Sequence, residues 1–189
     1  MIRTVWAPVA LSLLVLSGCS STPASPKVKQ LHQEVSQLNQ EMRQLTSQAT
    51  ALEQQNLLNS HSEQGAWLLP QANSAVVLQT QLGELRLSLT QVESEASGTR
   101  ANLNVRAAGE QPLPALTASV EWGELDAASG KPLSAGTLSQ TITVPATLLP
   151  KSSIIVPLRL SGLTPGELGF VRVHDVVAKS SAAPESTKP

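Results

Sequence analysis

The chain has 189 residues, with 13 basic against 14 acidic side chains for a formal charge of −1. That balance leaves no basic excess to draw nucleic acid to the surface, and the length holds one domain plus an extended element. Only 14% of residues are charged and tyrosine is absent, a composition that suits a β domain with a sparse aromatic core better than a typical cytoplasmic enzyme.

Arg3 gives the N-terminus a positive start, and Val5 to Leu16 is a short apolar stretch. Its length fits the h-region of a signal peptide and falls short of the roughly 20 residues that a membrane span needs. Leu16-Ser17-Gly18-Cys19 follows at once, with the chain's single cysteine at the end. Small residues at Ser17 and Gly18 let the chain lie extended in a peptidase cleft, and a thiol can carry a lipid. The arrangement resembles the lipobox of bacterial lipoproteins, which implies cleavage before Cys19 and acylation of its thiol. The expected boundaries are a signal peptide over 1–18 and a lipidated, flexible tether over 19–27. No cysteine is then left for disulfides, so stability has to come from the core. Enterobacterial lipoproteins with aspartate after the cysteine stay in the inner membrane, and Ser20 stands there instead. The resemblance therefore implies the outer membrane, with the body of the protein facing the periplasm and several acyl chains as a permanent anchor.

From Val28 the pattern changes. Val28, Leu31, Val35, Leu38, Met42, Leu45, Ala49 and Leu52 recur at alternating steps of three and four, with no Gly or Pro between them. This is a two-in-seven seam with period 3.5, the signature of a left-handed supercoil, and it predicts a heptad helix over 28–62. At about 1.5 Å per residue the helix reaches roughly 50 Å. Glu34 and Glu41 at the g positions meet no basic e partner, so charge selects no foreign helix and a homo-oligomer is the simplest reading. The other arrangement is one amphipathic helix laid against its own domain, since Ala49, Asn56 and Asn59 weaken the seam towards its end.

Beyond Gly65 the period becomes two. Leu85, Leu87 and Leu89 alternate with Arg86, Ser88 and Thr90, while Ala101, Leu103, Val105 and Ala107 alternate with Asn102, Asn104 and Arg106. With Ser97-Gly98 between them, the two runs predict a long hairpin with one buried face. Leu116 to Trp122 continues the alternation. Further strands are predicted near Val76 to Leu78, Ser139 to Val144, Ile154 to Leu160 and Leu168 to Val177. About seven strands over 65–178 read as an immunoglobulin-like β-sandwich in an α+β chain, with Pro145, Pro150, Pro157 and Pro165 in loops and at edges. Residues 179–189 are expected to form a disordered tail.

Gln37-Leu38-Asn39-Gln40-Glu41-Met42, Leu82-Gly83-Glu84-Leu85-Arg86-Leu87-Ser88-Leu89 and Leu168-Gly169-Phe170-Val171-Arg172-Val173-His174-Asp175 together carry a family resemblance. The chain is similar, from about Gln37 to Val177, to the YajI family of uncharacterised enterobacterial lipoproteins. That resemblance implies a location and an architecture and carries no active site.

The residues themselves offer no phosphate loop, zinc spacing or nucleophile elbow, so no catalytic residue, metal site or cofactor is predicted. His174 and Asp175 are adjacent, but strand neighbours point to opposite faces and are not expected to orient one another. The outward residues Arg86, Ser88, Thr90, Arg100, Asn102, Asn104 and Arg106 are either a plain solvated sheet face or a ligand face for an envelope glycan. Trp67 could stack on such a sugar, while Trp122 shares the core alternation. The function expected is that of a membrane-anchored periplasmic interaction or structural module, with an unidentified envelope protein or glycan as partner. The alternative is a module that binds peptidoglycan or lipopolysaccharide.

Overall fold

A computed structural model describes residues 26–62, 64–144 and 148–179. The segment Leu16-Ser17-Gly18-Cys19, the tether up to residue 25, Pro145 and the tail from 180 lie outside these residues. The chain divides into two compact units, residues 1–41 and 42–189.

In the first unit the described residues are helical. They begin α1, which runs over Pro26–Ser60. No Gly or Pro interrupts it after Pro26, and Gln30 Nε2 donates to Glu34 and Gln37 Nε2 to Glu41, both at 3.0 Å and one turn apart. Such pairs add a few tenths of a kcal/mol each to an exposed helix, about 0.2–0.5. Val28, Leu31, Val35 and Leu38 are all exposed.

In the second unit two antiparallel sheets face each other. Among the described residues the strands are β1 (Ala66–Leu68), β2 (Val76–Thr80), β3 (Gly83–Glu95), β4 (Gly98–Ala107), β5 (Leu116–Gly123), β6 (Leu138–Val144), β7 (Ser153–Ser161) and β8 (Phe170–Ala178). One sheet has the order β1-β8-β5-β6 and the other β2-β3-β4-β7. The expected sandwich is present, and the strand that the alternation did not reveal is the three-residue β1.

Period two explains the core. Leu85, Leu87, Leu103, Val105 and Leu158 from one sheet meet Leu68, Leu116, Val120 and Val173 from the other, each at most 2% exposed. Trp122 is in this core as expected, and its indole N–H donates to the Ser161 carbonyl at 3.1 Å. Pro157 stands on edge strand β7 opposite Asn102. The flanking bond from Ala107 N–H to the Ser152 carbonyl, 3.1 Å, sets the parity of this ladder. By that parity Asn102 and Pro157 form a non-hydrogen-bonded pair, so the nitrogen that lacks a proton faces the free edge.

The end of α1 packs on the second unit's own sandwich. Ala51 joins Leu69, Ala72 and Phe170 in a small second core, with Leu58, Trp67 and Leu125 around it. Three helix and post-helix side chains also take the outer edge of β1 and its flanks. Gln55 Oε1 accepts from Leu69 N–H at 2.9 Å, Asn59 bonds both the N–H and the carbonyl of Trp67, and Ser62 Oγ donates to the Gly65 carbonyl at 2.9 Å. The match is one of lengths. Four helical residues rise about 6 Å, and two strand residues about 6.7 Å, so steps from 55 to 59 keep pace with steps from 69 to 67. The edge that an open sheet would expose is thereby covered.

The end of the helix therefore follows the reading of an amphipathic helix laid against its own domain, and its heptad seam lies on a separate face. Met42, Leu45, Ala49 and Leu52 on the heptad seam remain exposed, while the docking face carries Ala51, Gln55 and Leu58, roughly a third of a turn away at 100° per residue. Asn59, which the heptad frame puts on the seam, turns instead to β1.

Candidate functional site

The hairpin β3–β4 and its neighbour β7 build one broad polar face. Register sets Arg86 opposite Arg106, Ser88 opposite Asn104, and Thr90 opposite Asn102. These residues alternate with buried Leu85, Leu87, Leu89, Ala101, Leu103 and Val105, so their side chains lie on the outer face, as the sequence pattern requires. Asn104 Nδ2 donates to Thr90 Oγ1 at 2.9 Å.

After Thr90 the ladder slips by a β-bulge before Glu93 pairs with Arg100. Gln91 sits there with φ 50°, and its side chain accepts from Asn102 Nδ2 at 2.5 Å. Below the bulge the charges are matched. Arg100 binds Glu93 at 2.5 Å, and Arg159 on β7 lies 3.8 Å from Glu95. The bond to Glu93 raises the Arg100 pKa above its ordinary value, with the charge of Glu93 adding to the effect. Above the bulge Arg86 and Arg106 stand opposite each other. The five predicted ligand-face residues Arg86, Arg100, Asn102, Asn104 and Arg106 thus share one face, with the two ends of that face in different electrostatic states.

The outer face of the other sheet carries a cluster that the sequence pattern did not single out. Register aligns Trp67, Arg172 and Glu121 across β1, β8 and β5. The Arg172 guanidinium lies over the Trp67 ring at 4.9 Å, approaches Glu121 at 3.3 Å and donates to the Gln64 carbonyl at 2.8 Å. Trp67 also packs against Phe170, with ring centroids 5.0 Å apart. Its ring is therefore engaged within the protein, contrary to the sugar-stacking expectation. Arg172 and Glu121 are legible as outward from the alternation of β8 and β5; their meeting with each other and with Trp67 depends on register, which local pattern does not give.

His174 and Asp175 correct another expectation. His174 Nδ1 lies 2.8 Å from Asp175 Oδ2, and His174 Nε2 lies 3.4 Å from Glu121 Oε1. Strand alternation fails at this point because the β5–β8 register shifts between Thr117 and Ser119 and Asp175 adopts φ 50°. The left-handed residue turns its carboxylate back towards the preceding imidazole. Gly65 permits the close approach on the other side: a Cβ there would lie 2.9 Å from His174 Cβ. Beside this pair is an open cleft of about 410 Å³, lined in part by Gln64, Gln81 and Val177. The imidazole lies between two carboxylates: Nδ1 is in hydrogen-bond contact with Asp175, while Nε2 is buried near Glu121 without a hydrogen-bond partner among the described residues. Arg172, over Trp67 and beside Glu121, forms an ion-pair and cation–π brace that ties β1, β5 and β8 together.

Comparison with known proteins agrees with this architecture. A family model described as "Protein of unknown function (DUF3251)" matches residues 23–183. The chain is 38% identical over 165 residues to the uncharacterized lipoprotein YajI of Escherichia coli K12, covering 87% of this chain and 90% of that protein. The solution structure of E. coli YajI matches with a TM-score of 0.67 at 32% identity, over 76% of this chain and 85% of that one. The Salmonella enterica trimeric lipoprotein SadB shares the fold at 18% identity with a TM-score of 0.53, over 81% of this chain and 82% of that one. With the family model spanning most of its length and its helix and two-sheet sandwich shared with YajI, the chain belongs to the DUF3251 family of YajI-like proteins.

Proposed function

We propose that the chain is a lipid-anchored envelope protein, acylated at Cys19 and held on the periplasmic side of the outer membrane. In this reading it acts as a non-catalytic module: the helix gathers copies of the chain and the sandwich presents a binding surface. The observation that carries it is the helix seam. Val28, Leu31, Val35, Leu38, Met42, Leu45 and Leu52 are each between 36% and 66% exposed. A row of large apolar side chains at heptad spacing is stabilised by burial against equivalent helices. Anchors on one leaflet would make those helices parallel and raise their effective concentration. The names of the relatives support both halves, since YajI is a lipoprotein and SadB a trimeric one.

Palmitate labelling of the wild-type and Cys19→Ala proteins in cells tests the anchor. Label and membrane retention should both vanish in the variant; undiminished label removes the proposed attachment point. Chemical crosslinking of the wild-type protein in intact cells tests the assembly, with a ladder of multiples of this chain as the expected product.

A further inference from the structure

The polar face of β3, β4 and β7 holds two pairs of facing arginines, and they differ in one respect. Arg100 stands opposite Arg159 across β4 and β7, and each has its own carboxylate, Glu93 and Glu95 respectively. Arg86 stands opposite Arg106 across β3 and β4. The ion pairs among the described residues take up Arg100, Lys151, Arg159 and Arg172, and neither Arg86 nor Arg106 enters one. The carboxylate two residues along on the same face, Glu84, accepts from Gln79 Nε2 at 2.9 Å.

Like charges placed directly opposite destabilise a sheet. The geometry brings them close: Ala108 N–H donates to the Glu84 carbonyl at 2.9 Å, which by parity makes Arg86 and Arg106 a hydrogen-bonded pair with Cα atoms about 5.5 Å apart. Both side chains are exposed, flanked by exposed Val77 on β2 and Ser153 on β7. Two planar five-donor forks rising side by side from a rigid sheet suit one multi-oxygen anion, which removes the repulsion as it binds.

We propose that Arg86 and Arg106 form a binding subsite for a phosphate group, the two guanidinium groups together taking the oxygens of one dianion. The site is independent of the lipid anchor and of helix association. Phosphate carried by a sugar and free phosphate present the same oxygens, so the source is distinguished by the probe.

The test is NMR of the arginine Nε–H groups of the full mature chain in detergent. Sodium phosphate is titrated against sodium chloride of equal ionic strength, and glucose 1-phosphate is titrated separately. The Arg86 and Arg106 signals should shift together and saturate, while Arg100 and Arg159 stay in place. R86Q and R106Q should each weaken phosphate binding by at least about tenfold, the loss of a charge-assisted contact, whereas R100Q leaves it unchanged. Because each of the first two variants relieves repulsion, neither should melt below wild type without phosphate, which separates lost binding from lost folding. Tighter binding of glucose 1-phosphate supports a glycan-borne phosphate, and equal binding supports the free ion. Uniform, unsaturating shifts of all arginines, or affinity unchanged in both R86Q and R106Q, would overturn the proposal.

Discussion

Asn59 bonds the backbone of Trp67 with both ends of its amide: Nδ2 donates to the Trp67 carbonyl at 2.8 Å and Oδ1 accepts from the Trp67 N–H at 2.9 Å. The side chain thus offers the donor and acceptor that a neighbouring strand would offer. Using both groups also fixes the orientation of the amide. Gln55 repeats half of the device at Leu69, where it is almost fully buried.

Asn59→Ala should therefore cost about 1–3 kcal/mol, the penalty for leaving backbone polar groups without partners in a part-buried site. Asn59→Asp keeps the acceptor and loses the donor, so it should fall between. Urea unfolding of the lipid-free protein from Ser20 onward measures both. A midpoint unchanged in Asn59→Ala would mean that water replaces the amide without loss.

Leu38→Lys places a charge on the seam of every chain, far in sequence from the docking residues Ala51 and Gln55. Sedimentation of the lipid-free protein should show a mass multiple for wild type and a monomer for the variant, with the thermal transition of the sandwich retained. A wild-type monomer at high concentration would count against intrinsic association.

The turn before β8 gives a pH dependence. Thr164 donates through both its N–H and its hydroxyl to Glu167 Oε2, at 2.9 and 2.8 Å. The backbone bond first, then the hydroxyl, hold this carboxyl below its ordinary value. A depressed folded pKa contributes stability above the unfolded pKa and loses it as pH falls through the folded value. Melting temperature measured from pH 7 downward should thus fall less steeply below the usual carboxylate range in Thr164→Val than in wild type. Parallel acid limbs would show that the turn loosens before Glu167 titrates.

Gly169 N–H donates to the Gly123 carbonyl at 2.9 Å, and a Cβ at 169 would come within 2.9 Å of both the Glu124 carbonyl carbon and Leu125 Cγ. Backbone cannot yield as a side chain does. Gly169→Ala should destabilise by about 1–3 kcal/mol through overpacking, read by chemical denaturation. Gly109→Ala is the control, since open space surrounds that position.

Most of the sandwich was legible because each long strand alternates cleanly, as in Leu85 to Leu89 and Ala101 to Ala107. The helix was legible from its heptads. What stayed hidden has specific causes. β1 is only three residues long and lacks a period to read, and it is completed by side-chain amides that no strand pattern contains. The docking face of α1 consists of Ala51, Gln55 and Leu58, too polar and too short to register beside a stronger seam. The contact between His174 and Asp175 depends on a left-handed residue at a bulge, where the rule of opposite faces lapses. The hairpin face was legible as outward, but the difference between its arginine pairs was not, because Glu93 faces Arg100 only after the bulge has shifted the register.

Pro157 bears on how crowded copies behave. An uncovered strand edge is a template that another chain can extend, and crowding on a surface multiplies such encounters. Halfway along β7 the outward nitrogen has no proton to give, and Arg159, with 84% of its side chain exposed, follows two residues later. A foreign strand would meet a missing rung and then a positive charge. Neighbouring sandwiches can therefore be packed densely without fusing into a continuous sheet along this side.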